Sequence, residues 1–202
     1  MPKQTFFNLS EKKRQSIEQA ALDEFSSHGF DRSNMNRIVE HSGIAKGSYY
    51  QYFEDKKDIY FHLVDRLFRK KMQAIEPVMR ECREHSFSHN LDALFAAGLT
   101  LAKEDARLYR LGEDFATMQR PFMVEFMEKY KPETTDIYMV LLMQAKAKGE
   151  LRENIDESLV AIFVAELVSQ TTMLRMQWRG DDAGGEHITE EMLAFINHAI
   201  LK

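Results

Sequence analysis

A chain of 202 residues, 44% hydrophobic and 29% charged, has ordinary globular composition and is long enough for one large or two small cores. Its single cysteine, Cys82, excludes an internal disulfide and a cysteine-rich metal site, and no apolar run approaches the ~20 residues of a membrane span. A net charge of −5 argues against nucleic acid only if taken whole: residues 1–60 hold nine Lys/Arg and nine Asp/Glu, and the other 18 and 23 lie beyond them.

The opening MPKQTFFNLS has no hydrophobic signal core, so a cytoplasmic protein is expected. With 9 Gly and 4 Pro there are few helix breakers, and the expected class is all-α. Residues 10–28 place Ile17, Ala20, Ala21 and Phe25 at helical spacing, with Ser10 set to cap and Gly29 to stop the helix. Ser33 is the expected N-cap of a short second helix whose apolar face is Met35, Ile38 and Val39. Gly43 supplies the turn into a third helix over 45–53, because glycine takes a positive φ without steric cost. Asp55 opens a long fourth helix, with Asp58 completing a carboxylate capping box, and Pro77 is expected to interrupt it. Three helices in about 55 residues, the last two joined by a tight glycine turn, describe a helix-turn-helix module. Further helices are expected over 87–104, 107–117, 121–131, 133–148, 156–178 and 189–201, with the DDAGGE stretch at 181–186 as a loop.

On a wheel of 100° per residue the third helix divides. Tyr49, Tyr52 and Phe53 gather on the side that meets Ile17, Phe25, Ile38 and Val39, while Lys46, Gly47, Tyr50 and Gln51 gather on the other. That outward set suits a DNA major groove. Gly47 permits close approach, Lys46 donates to guanine acceptors, Gln51 pairs with an adenine edge and the Tyr50 hydroxyl reaches a phosphate. The plain alternative is an accidental polar face.

Residues 12–64 resemble the DNA-binding domain of the TetR family of bacterial transcriptional regulators. The resemblance rests on Ile17, Ala20, Ala21, Phe25, Gly29-Phe30, Ile38, Gly43-Ile44, Lys46-Gly47-Ser48, Tyr50, Tyr52-Phe53 and Lys56. It implies phosphate contacts from Ser33, Tyr50 and Lys56 and base-side contacts from Lys46, Gly47 and Gln51, with Ser48 inside the same motif. Two positions depart from the family pattern. Ala45 stands where a capping serine or threonine is common. Tyr49 replaces a leucine-like residue, and its hydroxyl at the helix edge adds a polar contact to the DNA-facing set.

Beyond residue ~65 the resemblance reduces to helix count and length. One such module buries too little for tight specific binding, so a homodimer on an inverted-repeat, double-stranded operator is expected. The helices over 133–148 and 156–178 are the candidates for pairing two copies, with Ile162, Phe163, Glu166, Gln170 and Leu174 at the interface. Soft and aromatic side chains collect in the same region. Phe115, Met118, Phe122, Met139, Met143, Met173 and Trp178 are the candidate lining of a pocket for a small lipophilic effector, plain core being the alternative for each. Glu113, Asp114 and Glu166 are candidates to meet a cationic effector, against a capping or solvated role.

His85 and His89 stand four apart near Cys82, a metal-compatible spacing, but Ser86-Phe87-Ser88 reads as a helix boundary and no further ligand is evident, so no metal or cofactor is expected. No phosphate loop, nucleophile elbow or paired His/carboxylate motif marks an enzyme. The expectation is therefore a DNA-binding regulator, a repressor released by an effector, with residues 1–54 binding DNA and residues 55–202 dimerising and holding the effector. The alternative is a DNA-tethered interaction protein whose C-terminal domain binds a protein partner.

Overall fold

Every described element is helical apart from one isolated antiparallel bridge, Leu151 with Leu201. The computed structural model describes residues 1–118, 122, 124, 126, 131–177 and 182–202. The helices are α1 (Gln4–Phe7), α2 (Glu11–Arg32), α3 (Met35–Ser42), α4 (Lys46–Tyr52), α5 (Lys56–Glu81), α6 (Phe87–Glu104), α7 (Ala106–Thr117), α8 (Lys131–Ala147), α9 (Glu157–Gln177) and α10 (Asp182–Ile200). Most of the helix expected over 121–131 lies outside the described residues. Among those described, no helix is long and apolar enough to cross a membrane.

Two compact units result, Met1–Gln73 with Thr100–Ala116 and Ala74–Leu99 with Thr117–Lys202. In the first, the apolar stripe of α2 meets α3, α4 and α5: Ile17, Ala21, Phe25, Ile38, Tyr49, Phe53, Ile59, Tyr60 and Leu63 are all buried. Complete burial of one such side chain is worth about 1.5–3 kcal/mol, so this cluster dominates the unit's stability. Rings interlock at its centre, Phe25 edge-on to Tyr60 at 5.0 Å and Phe30 to Tyr60 at 4.9 Å. In the second unit α9 packs against α8 and α10, burying Leu141, Leu142, Ala145, Ala161, Val164 and Ile196.

Local signals set most boundaries. Gly29, at φ 68°, breaks α2 where expected, and Gly43, at φ 69°, closes α3 in the left-handed conformation. Asp55 accepts from the amides of Lys57 and Asp58, and the Asp58 carboxylate reaches back to the amide of Glu54, so the carboxylate capping box opens α5.

Other boundaries differ from expectation. Asn34, not Ser33, caps α3, accepting from the Asn36 amide at 2.8 Å. Ser33 is buried, and its hydroxyl donates instead to the Phe30 carbonyl at 2.6 Å. Ser10 occupies the N-cap position of α2 without a side-chain capping bond. Pro77 does not end α5, which continues to Glu81 at the cost of the one backbone bond that proline cannot donate. The stretch expected as a loop is helical from Asp182, so α10 begins seven residues before 189 and carries Gly184 and Gly185 inside it, Gly185 buried. Two interior glycines cost about 1 kcal/mol each relative to alanine, which tertiary packing overrides.

Candidate nucleic-acid interface

Helix α4 has only seven residues, too few to be stable alone, so the packing beneath it sets its position. Tyr49 and Phe53 are fully buried and Tyr52 nearly so, while Lys46, Gly47, Tyr50 and Gln51 are exposed and Ser48 is half-buried. The two sides separate as the wheel divides them. Tyr50 is 53% exposed, and a Cβ added at Gly47 would meet no atom within 4 Å. The outward face is thus a cation, an open backbone position, a phenol and an amide. Ala45 occupies the N-cap of α4 without a side-chain bond, and the Ser48 amide donates to its carbonyl at 2.9 Å.

Three expected contact residues are otherwise engaged. Tyr49 has no exposed surface, so it belongs to the core and not to the contact face. Its hydroxyl donates to the Asp55 carbonyl at 3.2 Å, and burial, with Asp55 and Asp58 nearby, pushes its ionisation well above the usual tyrosine range. The Lys56 ammonium, expected on a phosphate, sits over the Phe30 ring and donates to the carbonyls of Phe30 and Ser33, the latter at 3.2 Å. There it caps the C-terminal end of α2. Ser33, also expected on a phosphate, turns its hydroxyl inward as described above.

Two buried carboxylates brace the scaffold. Glu24 binds Arg37 through Nε at 2.9 Å to both oxygens and takes the Asn34 amide at 2.7 Å, tying α2 to the start of α3. Glu18 holds His62 Nε2 and Arg66 Nη1, each at 2.8 Å, tying α2 to α5. Burial alone would raise both acids. Hydrogen bonds from His62 to Glu18 and from Arg37 to Glu24, with the adjacent cations, outweigh it and hold both below the usual carboxylate range.

Asp114 of α7 proves to be a capping carboxylate. It accepts from the Phe30 amide at 2.9 Å and from the Tyr60 hydroxyl at 2.8 Å, and a Cβ at Gly29 would lie 2.6 Å from its Oδ1. At position 29 the positive φ disfavours any side chain, and a Cβ would also have to displace the Asp114 carboxylate. Arg107 of α7 adds a contact to Asp23 at 2.6 Å, so α7 is fastened to α2 at two points.

The remaining candidates divide. Phe115 is buried beside Phe68 and Tyr60 in the first unit. Met118, Phe122 and Met139 are half-buried in the second. Met143 is 59% exposed because Leu142 and Ala145 take the buried face of α8, so in the single chain it lines no enclosed pocket. The Met173 side chain and Trp178 lie outside the described residues. Ile162, Phe163, Glu166, Gln170 and Leu174 are all exposed on α9. Phe163, Glu166, Leu167 and Gln170 line a groove of ≈ 560 Å³ with Phe195 of α10, itself 62% exposed, and Leu159, Ile162 and Leu174 add exposed apolar surface on α9. The helix sharing this groove within the chain is α10.

Comparison with known proteins agrees with this architecture. Residues 17–63 match the family model of bacterial regulatory proteins, tetR family. An HTH-type transcriptional regulator of Staphylococcus aureus (strain bovine RF122 / ET3-1) is 40% identical over 53 residues, 26% of this chain and 29% of that protein. The match thus spans less than a third of the curated relative's length. A TetR family transcriptional regulator from Chloroflexus aurantiacus J-10-FL superposes with TM-score 0.71 at 25% identity, covering 100% of this chain and 99% of its own. SmeT, the repressor of the Stenotrophomonas maltophilia multidrug efflux pump SmeDEF, superposes with TM-score 0.76 at 22% identity, covering 95% and 93%; it is also described in complex with triclosan.

Proposed function

We propose that the chain, whose residues 17–63 match the family model of bacterial regulatory proteins, tetR family, is a homodimeric, sequence-specific transcriptional repressor released from a palindromic operator by a small lipophilic effector. The observation that carries the proposal is the split of α4, with Lys46, Gly47, Tyr50 and Gln51 outward over buried Tyr49, Tyr52 and Phe53. A short rigid helix presenting donors, an amide and an open backbone position fits the major groove. In this reading Lys46, Gly47 and Gln51 face bases and Tyr50 a phosphate. Residues 1–54 read DNA, and residues 55–202 dimerise and take the effector. The exposed apolar face of α9 and α10 supports pairing of two copies, since apolar patches of this kind mark interaction surfaces. Effector release requires a ligand that binds the DNA-competent and DNA-incompetent arrangements with different affinity, commonly a coupling of ~1–3 kcal/mol.

The test is selection from a random duplex library with the full chain. The expected product is an inverted repeat with half-sites separated by about one helical turn, roughly 34 Å. Failure to enrich any duplex over the starting library overturns the regulator reading. Gln51→Ala then relaxes the base preference while nonspecific binding persists.

A further inference from the structure

Helix α4 ends without the usual means of satisfying its last carbonyls. Its closing backbone bond is the Phe53 amide to the Tyr49 carbonyl at 2.9 Å, so the carbonyls of Tyr50, Gln51 and Tyr52 have no partner inside the helix. Phe53 is extended at φ −134°, so no left-handed residue folds back to close them. Three donors from the N-terminal segment fill the three places one for one. Lys3 Nζ donates to Tyr50 at 2.9 Å, Thr5 Oγ1 donates to Gln51, and the Lys3 amide donates to Tyr52 at 2.8 Å. The next residue anchors the segment. Phe6 is fully buried, its ring 4.9 Å from Phe53 and 5.2 Å from His62.

We propose that Lys3–Phe7 is a tertiary C-cap for the DNA-reading helix, and that Lys3, Thr5 and Phe6 are positioning residues for base selection; this rests on the regulator reading above. Two of the capped carbonyls belong to Tyr50 and Gln51, the same residues whose side chains face outward. Fixing their backbone fixes where those side chains enter the groove. A seven-residue helix has too few internal bonds to do so itself. The lysine also brings a cation to the negative end of the helix.

Thr5 and Lys3 are exposed, so changing them opens no cavity. Thr5→Val removes only the hydroxyl donor, Lys3→Met removes only the ammonium, and Thr5→Ser restores the donor. In the pair Lys3→Met/Thr5→Val, affinity for the selected duplex over a scrambled duplex should fall on the order of 10-fold. Amide exchange over residues 50–53 should rise by a similar factor while exchange in α9 stays at its parental rate. Thr5→Ser should behave as the parent, and the salt slope of scrambled-duplex binding should not change. A parental specificity ratio in the pair, a Thr5→Ser variant as poor as Thr5→Val, or a uniform rise in exchange across the chain overturns the proposal. A slope reduced by about one with Lys3→Met makes Lys3 a phosphate contact and overturns its role as a cap. If the parent enriches no duplex, the regulator reading falls, and the exchange over residues 50–53 decides the cap on its own.

Discussion

Gly47 and Lys56 show how little a residue's type says about its task until its surroundings are known. A Cβ at Gly47 would meet no protein atom, and the position lies in a helix where alanine is favoured by about 1 kcal/mol. Gly47→Ala is therefore expected to raise the melting temperature by a few degrees while weakening selected-duplex binding, measured by thermal denaturation and gel shift. Improved stability with undiminished binding would place Gly47 outside the contact face. Lys56 is the converse, a cation in a DNA-binding domain whose ammonium caps α2. Lys56→Ala should cost about 1–2 kcal/mol of stability and leave the slope of log K against log salt unchanged. A slope flattened by about one would instead return Lys56 to the phosphates.

Between elements, polar ties lock the small helices in place. Glu24 joins α2 to α3 and Glu18 joins α2 to α5, both nearly buried and both held below the usual 4.5 of a glutamate. An acid whose folded pKa is depressed stabilises the fold above its unfolded value and loses that contribution as pH falls through the folded one. Melting temperature should accordingly be steady above about pH 5 and drop as the pH is lowered toward 3. Glu24→Gln should be less stable at pH 7 and show a shallower acid drop. An equally steep drop in that variant would assign the acid sensitivity elsewhere. Asp114 is a third tie, fastening α7 to the Gly29-Phe30 turn. It makes a helix distant in sequence part of the unit that carries α3 and α4.

For the whole molecule, the decisive feature is the apolar face of α9 and α10. Phe163, Leu174 and Phe195 are each more than half exposed in the single chain. Leu159, Ile162 and Leu167 are exposed on α9 as well, and apolar surface of this extent is what a second copy would cover. Sedimentation at micromolar concentration should give twice the 23.6 kDa of one chain, and Phe163→Glu should shift it to the single mass. Selected-duplex affinity should fall with it, because two half-sites are no longer read together. A parent that sediments at the single mass while binding DNA at full affinity would remove the dimer.

The sequence alone determined the all-α class, most helix spans, the glycine stops at 29 and 43, the capping box at Asp55 and the two-sided character of α4. Each of these depends on the spacing or conformational freedom of residues within one turn or one helix, which a linear reading captures. Only the tertiary structure decided where the polar donors and apolar edges end. Ser33, Lys56 and Asp114 could each have met a ligand by type, yet all three lie against backbone groups that folding brings within reach. The helix through Pro77 and the early start of α10 belong here too, because packing overrode local breaking signals. The N-terminal segment is the clearest case. Two adjacent phenylalanines in a polar opening were its one visible signal, and its donors matter because a helix more than 45 residues away ends with three carbonyls that have no partner inside it.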